Sequence, residues 1–344
     1  MNWRGFLMKT DGNKTIMEER KHKKLLIIGG TDKVVQHVGG VGMFIHRLHK
    51  KLLEPYVANY TMVDHHQVGI WKQLKMIKKA DVIHPHVSNP YLRWFYAFAS
   101  KILGKTSVLT VHGDYGVYKG LRSVFDRLAM KTYDIPILIN KGSYEAVKKI
   151  NPNAVFYPAF ILPIEGEEQL TEEEVAFIMK LKTEGKPLFV ASSNHRGFTD
   201  DGKEVYGIDF LIDYFSSHND YNLLVLDPFT EYEPLYEGKL PSNVTLFSGA
   251  HSLCGVMKLA DVVIRNTATD GDAFSVKEAL WLHKPVLVTD VVSRPQGVFL
   301  FHYNDSKSFE EAISQAMSYK GSIELMENDS IEDYRKLYQK LGVI

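Results

Sequence analysis

The sequence predicts an α/β protein of two domains, each built around a parallel sheet. Three observations carry that expectation. Short apolar runs alternate with amphipathic stretches in both halves, the pattern of parallel strands covered on both faces. The alternation breaks once, between Pro158 and Glu184, where Pro158 and Pro163 flank an apolar segment and the acidic run EGEEQLTEEE follows. Charge divides at the same place: residues 1–160 hold 25 Lys and Arg against 11 Asp and Glu, a net +14, and residues 161–344 carry −14. A chain of 344 residues is long enough for two such units.

The first 23 residues are polar and charged, without an apolar core of signal-peptide length, and are expected to form a disordered leader. Lys24–Gly29 (KLLIIG) reads as the first buried strand. Gly39-Gly40-Val41-Gly42 precedes a helix whose Val41, Phe44, Ile45, Leu48 and Leu52 recur at helical spacing. Asp81–His84, Ser107–Val111 and Ile135–Ile139 read as further strands, which places a first domain over 24–162. The linker falls near Leu162–Glu168. A second domain over 163–325 restarts the pattern with strands at Lys186–Ala191, Leu223–Asp227, Val244–Ser248 and Asp261–Ile264, and a helix at Gly207–Phe215. The closing segment 326–344 carries a helix, Ile331–Leu341, whose Ile331, Tyr334, Tyr338 and Leu341 form a stripe that needs a surface to pack on.

Several classes are disfavoured. A single cysteine, Cys254, allows no intrachain disulfide and fits a reducing, cytoplasmic setting. No apolar run approaches the roughly 18 residues that span a bilayer. There is no G-x-x-x-x-G-K-[ST], no G-x-S-x-G, and no complete G-x-G-x-x-G opening the first helix, so a P-loop ATPase, a nucleophile-elbow hydrolase and a dehydrogenase are not expected. No nucleic-acid partner is expected. The basic half suits an anionic membrane, at the inner face of which the chain would be peripheral, or a phosphorylated acceptor; equally, the two halves attract each other across a cleft. Trp71–Lys79 (WKQLKMIKK) and the aromatic-rich Tyr91–Leu103 fit either a membrane face or lysines over an ordinary core stripe.

The most informative stretch is Asp261–Asp290 (DVVIRNTATDGDAFSVKEALWLHKPVLVTD). A strand runs into a polar turn with Asp270, Gly271 and Asp272, then a helix from about Ala273 to Leu282, then a strand at Val286–Thr289. Such a joint presents backbone N–H groups and a positive dipole end to a phosphate. Asp270 and Glu278, with seven residues between them, bracket the helix start. Ser275-x-x-Glu278 also fits a capping box, in which Glu278 only ties down the helix. Asp270-x-Asp272 is a pair that can hold a divalent cation, but its place late in a second domain argues against a metal, and none is expected. His84 and His86 point the same way along a strand without an evident third ligand. His112 follows a predicted strand, where open α/β sheets present ligands.

These landmarks, from about Lys24 to Ile344, resemble retaining glycosyltransferases of the GT-B fold, in particular family 4 of the group 1 type. That family carries Glu-x7-Glu, then Ala and a Gly-Pro-Val strand start; here stand Asp270-x7-Glu278, Ala279 and Lys284-Pro285-Val286. Gly39–Gly42 matches its glycine loop, Thr110-Val111-His112-Gly113 its Thr-x-His strand end, and Asp81–His86 the strand before it. The resemblance implies two Rossmann-like domains facing an interdomain cleft, with a UDP or GDP sugar as substrate rather than cofactor. It implies a catalytic set of His112, Asp270 and Glu278, with Asp270 on the sugar hydroxyls and Glu278 on the ribose. The donor would meet Gly40, Gly42, Gly271, Asp272, Ala273, Phe274 and Ser275, with charge from Arg196, Lys203 or Arg265. The acceptor side would hold Gly39, His84 and His86. The acceptor would be a saccharide or a polyprenyl-diphosphate-linked saccharide, as in surface polysaccharide assembly. One feature departs: Tyr206-Gly207 stands where Lys-Gly is usual, and no Gly-Arg follows the first strand of the second domain. A nucleotide-sugar epimerase of the same fold and a non-catalytic nucleotide-binding subunit are the alternatives.

Overall fold

The structure is a computed structural model that describes residues 6–11, 14–19, 22–29, 40–182, 185–271, 273–323 and 329–344. Two six-stranded sheets dominate it. The first runs Tyr60–Val63, Leu25–Ile28, Val82–Pro85, Thr106–Val111, Ile135–Leu138, Val155–Phe156 across its width. The second runs Val244–Ser248, Asn222–Asp227, Leu188–Ser192, Val262–Arg265, Val286–Thr289, Phe299–Phe301. Every neighbouring pair is parallel. Leu25–Ile28 and Val286–Thr289 are buried at every position, which explains the unbroken apolar runs Leu25–Ile28 and Val286–Val288.

The helices of the first sheet fall into two layers. The helix Gly40–Leu48 packs on one face, and Ile70–Lys79, Pro90–Ile102 and Gly120–Thr132 pack on the other. The final helix, Ile331–Leu341, joins the face of Gly40–Leu48: Tyr334, Leu337 and Tyr338 lie in one core with Leu25, Ile27 and Phe44. Ser330 Oγ donates to the Phe160 carbonyl (2.9 Å), and Gly342, in the left-handed region (φ 73°), ends the helix. The second domain encloses two further cores on either side of its sheet.

Two expectations need correction. The leader is not wholly without structure: Phe6–Asp11 pairs antiparallel with Lys14–Glu19. Gly40 and Gly42 do not precede the first helix but stand in its first turn. The strands Tyr60–Val63, Val155–Phe156 and Phe299–Phe301 were not foreseen. All lie at sheet edges and are partly exposed, so none leaves a continuous apolar run.

Tyr338 is fully buried and its hydroxyl meets His84 Nδ1 at 2.7 Å. Tyr338→Ala is therefore expected to lower unfolding stability by about 3–5 kcal/mol in urea titrations. Exposed Met317→Ala should stay within about 0.5 kcal/mol. A near-neutral Tyr338→Ala would mean that the last helix is not part of the first domain's core.

Candidate functional site

A cavity of about 980 Å³ opens between the two domains. Its walls come from the carboxyl ends of strands in both sheets. Ser192 and Arg265 end two strands of the second sheet, Leu226 is the last residue but one of a third, and His112 follows Val111 of the first. Gly40 and Arg47 contribute from the first helix, and Glu165, Gly166 and Glu167 from the interdomain linker. The start of the helix Phe274–Trp281 supplies Ala273, Phe274 and Ser275. The site thus offers a helix N-terminus and a guanidinium on one wall and an imidazole on another.

Asp270 holds the second-domain wall together. Arg265 forks onto it, Nη2 to Oδ1 at 2.9 Å and Nε to Oδ2 at 3.2 Å, and Arg294 Nη1 donates to Oδ2 at 2.7 Å. The Gly271 N–H adds a fourth bond (3.0 Å). Burial pushes the carboxyl up, but Arg265 and then Arg294 outweigh it and hold Asp270 below its ordinary range. The Arg265 guanidinium also lies 5.1 Å from the centre of the Tyr206 ring. So Tyr206, standing where Lys was expected, props up a cation delivered from another strand. Gly207 beside it is in the left-handed region (φ 53°), and a Cβ there would lie 2.2 Å from Asn266 Nδ2. Only glycine fits.

Arg47 forms the second network, and it crosses between domains. Its side chain is fully buried. Nη2 donates to Glu167 Oε2 at 2.6 Å and also to Glu278 Oε1, while Nη1 reaches the Ile161 carbonyl at 2.9 Å. Burial raises the Glu278 carboxyl above its usual range, with Arg47 pulling the other way. The guanidinium sits 5.8 Å from the Phe274 ring centre. Phe274 itself packs edge-on against Phe44 of the first domain (6.4 Å). The helix that opens the second-domain wall is thereby anchored to the other domain.

Behind His112 lies a row of imidazoles. His112 Nε2 meets His86 Nδ1 at 2.9 Å. His84 is bonded at both nitrogens, Nδ1 to Tyr338 and Nε2 to Thr110 (2.9 Å). Burial holds His84 and His112 down to about 3, and His86 well below its ordinary value, so all three are neutral near neutral pH. His86 Nε2 is buried with no partner among the described residues. An orphaned buried N–H is rarer than an orphaned acceptor, so the His86 proton belongs on Nδ1, donated to His112 Nε2. That leaves the His112 proton on Nδ1.

Of the residues expected at the site, the cleft brings together Gly40, His112, Arg265, Asp270, Gly271, Ala273, Phe274, Ser275 and Glu278. Gly42 does not line it. Gly39 and Asp272 lie outside the described residues. Arg196 and Lys203 are also off the cleft: Arg196 Nη2 pairs with Asp209 (2.7 Å), and exposed Lys203 pairs with Asp201 (2.9 Å). They sit in a loop closed by an antiparallel bridge between Phe198 and Glu204. His84 and His86 are buried behind His112 rather than presented to an acceptor. The capping box does not form: Ala273 is the N-cap, without a side-chain bond, and Glu278 turns to Arg47 instead. Asp270, expected free for sugar hydroxyls, has both oxygens engaged by arginines, and a carboxylate so neutralised is a poor ligand for a cation. Arg47, Glu167, Arg294 and Tyr206 were missed. Arg47 carried one signal, a charge three residues after Phe44 beside the helix's apolar stripe.

No protein-family model matches the chain, and no curated protein matches it either. Solved structures do. Anabaena Alr3699/HepE in complex with UDP and glucose superposes over 94% of this chain and 97% of its own, with TM-score 0.63 and 14% identity. A glycosyltransferase from Rickettsia africae ESF-5 covers 93% and 98%, with TM-score 0.65 and 14% identity. WaaG, a glycosyltransferase involved in lipopolysaccharide biosynthesis, covers 92% and 98%, with TM-score 0.61 and 14% identity. Two Rossmann-like sheets facing one cleft, shared over nearly the whole chain, define the GT-B fold here.

Two outcomes follow from these networks. Arg47→Met should destabilise the chain by about 3–5 kcal/mol, because it leaves buried carboxylates unpaired. Adding Glu278→Gln should recover part of that loss, and strictly additive losses would contradict the coupling. Histidine-selective ¹⁵N spectra at pH 5 should find His84, His86 and His112 neutral, with His112 protonated at Nδ1. An imidazolium at any of the three, or an Nε2–H tautomer at His112, would overturn the assignment.

Proposed function

We propose that the chain transfers a sugar from a nucleotide-sugar donor to a saccharide or lipid-linked saccharide, with retention of configuration. The observation that carries this reading is the juxtaposition of Arg265, the helix start at Ala273–Ser275 and His112 around one interdomain cavity. A guanidinium and backbone N–H groups at a helix N-terminus suit a diphosphate. Of the three cations expected there, Arg265 is the one on the wall, fixed by Asp270 and Tyr206. Asp270 then acts by positioning Arg265. Glu278 commits Oε1 to Arg47, which leaves Oε2 for a ribose hydroxyl. His112 faces the cleft and donates to a sugar oxygen from Nδ1.

As the bond from the anomeric carbon to the diphosphate breaks, negative charge grows on the departing oxygen. Preorganised charge at that position supplies much of the rate in such reactions. The acceptor hydroxyl oxygen bonds to the anomeric carbon on the same face, and its proton passes to the departing diphosphate oxygen. HepE in its complexes holds UDP and glucose or UDP-glucose, which supports a UDP sugar as the first donor to try. WaaG's part in lipopolysaccharide biosynthesis supports an acceptor used in surface polysaccharide assembly. No helix among the described residues is long and apolar enough to cross a membrane.

A thermal-shift screen of UDP and GDP sugars should find one that stabilises the chain by about 2.7 kcal/mol at a hundredfold over its dissociation constant. With that donor and a saccharide acceptor, Asp270→Asn and His112→Ala should each lower turnover about a hundredfold or more. Wild-type turnover in both variants would sink the site assignment. Isomerisation of donor without acceptor would favour the epimerase, and tight binding without turnover the non-catalytic subunit.

A further inference from the structure

A cluster of metal-ligating side chains lies outside the cleft. Asp64, His65 and His66 follow the edge strand Tyr60–Val63, and none of them lines the cavity. Each offers one ligand atom, a carboxylate oxygen or an imidazole nitrogen, and the three atoms lie within 4.8 Å of one another. No other group of three His, Cys, Asp or Glu side chains among the described residues comes so close. Along a strand, neighbouring side chains point to opposite faces. Here the chain has left the strand and turns. The Gln67 N–H donates to the Asp64 carbonyl (3.1 Å) and the His66 N–H to Asp64 Oδ1 (2.9 Å). The two imidazoles come to lie side by side, their centres 4.0 Å apart.

The turn is held from beneath. Gln73, buried in the helix Ile70–Lys79, donates Nε2 to the His65 carbonyl (3.1 Å) and to the Val68 carbonyl. Its Oε1 accepts from the hydroxyl of Tyr96, itself buried in Pro90–Ile102. Support of this kind fixes ligand positions before an ion arrives.

The cluster is unbalanced without a cation. His65 Nδ1 is buried and has no hydrogen-bond partner among the described residues. An orphaned buried N–H is rarer than an orphaned acceptor, so Nδ1 carries its lone pair. Asp64 Oδ1 stands 4.0 Å from it, beyond hydrogen-bond reach. Burial, and then His66, hold the His65 imidazole below its ordinary value, so a second proton does not fill the gap near neutral pH. Two electron-rich atoms at this separation are spanned by a single ion with bonds of about 2.0–2.2 Å.

We propose that Asp64, His65 and His66 bind a divalent first-row metal ion of the zinc type. Two imidazoles and a carboxylate suit such an ion, whereas magnesium and calcium take oxygen ligands. Rotation of the exposed His66 ring brings in the third ligand. Three protein ligands leave a tetrahedral ion one position for water. The turn stands three strands across the sheet from the one that His112 follows, about 14 Å at the usual strand spacing. The site is therefore separate from the cleft, and its assignment does not depend on what the cleft turns over.

The test is calorimetric titration of zinc chloride into the chelator-treated full chain. One saturable zinc per chain is expected, with magnesium and calcium at least about a hundredfold weaker. His66→Gln and Asp64→Asn should each weaken zinc at least about tenfold. His302→Gln removes another exposed histidine paired with a carboxylate and should leave zinc binding unchanged. Circular dichroism checks that the variants keep the fold. Histidine-selective ¹⁵N spectra of the unaltered chain need no variant: zinc should move the His65 Nδ1 resonance and leave His112 in place. No zinc binding, wild-type affinity in both turn variants, or loss of binding with His302→Gln would overturn the proposal. So would magnesium binding as tightly as zinc, or a zinc-dependent shift at His112 instead of His65.

Discussion

Everything at the cleft depends on one buried guanidinium. Arg47 belongs to the first helix of the first domain, yet it is answered by Glu167 from the linker and Glu278 from the second domain. Removing a charge from water costs several kcal/mol, and the cost is recovered only where the partners are complete. The pair, the linker carboxylate and the Ile161 carbonyl complete it. Since the three partners come from three parts of the chain, the bonds close only when the domains face each other. Phe274, wedged against Phe44 and Phe160, adds an apolar seal to the same joint.

The second network acts within one domain. Asp270 spends its charge on Arg265 and Arg294 rather than on the open cavity. This turns an expected ligand into a support. The cost of burying the acid is offset by two guanidiniums, and the return is a cation held at a fixed place on the wall. Tyr206 performs a related task from below. The chain thus reaches a charged wall without the Lys that the resembling family places before its glycine.

Much of this was legible in the sequence. The strands Leu25–Ile28, Val262–Arg265 and Val286–Thr289 carry unbroken apolar runs over Leu25–Ile28, Val262–Ile264 and Val286–Val288, and burial on both faces demands such runs. The late strand–turn–helix joint and His112 stand on the cleft where a parallel sheet presents ligands. What escaped was pairing over distance. Arg47 and Glu278 are separated by 231 positions, and nothing local marks them as partners. Arg196 and Lys203 looked suitable because they are cations near the right strand, but Arg196 pairs with Asp209 of the next helix and Lys203 with Asp201 of its own loop. Charge type is visible in a sequence; the direction in which a loop aims it is not. His84 and His86 share a strand face as expected, yet that face is the interior.

The central claim is that this cleft holds a nucleoside diphosphate on Arg265. Calorimetric titration of UDP and GDP into the full chain tests it most directly. The account predicts one saturable site for one of the two nucleotides, weakened at least about tenfold by Arg265→Met and unchanged by Arg196→Met. Failure of both nucleotides to bind, or a loss of binding with Arg196→Met but not with Arg265→Met, would contradict it.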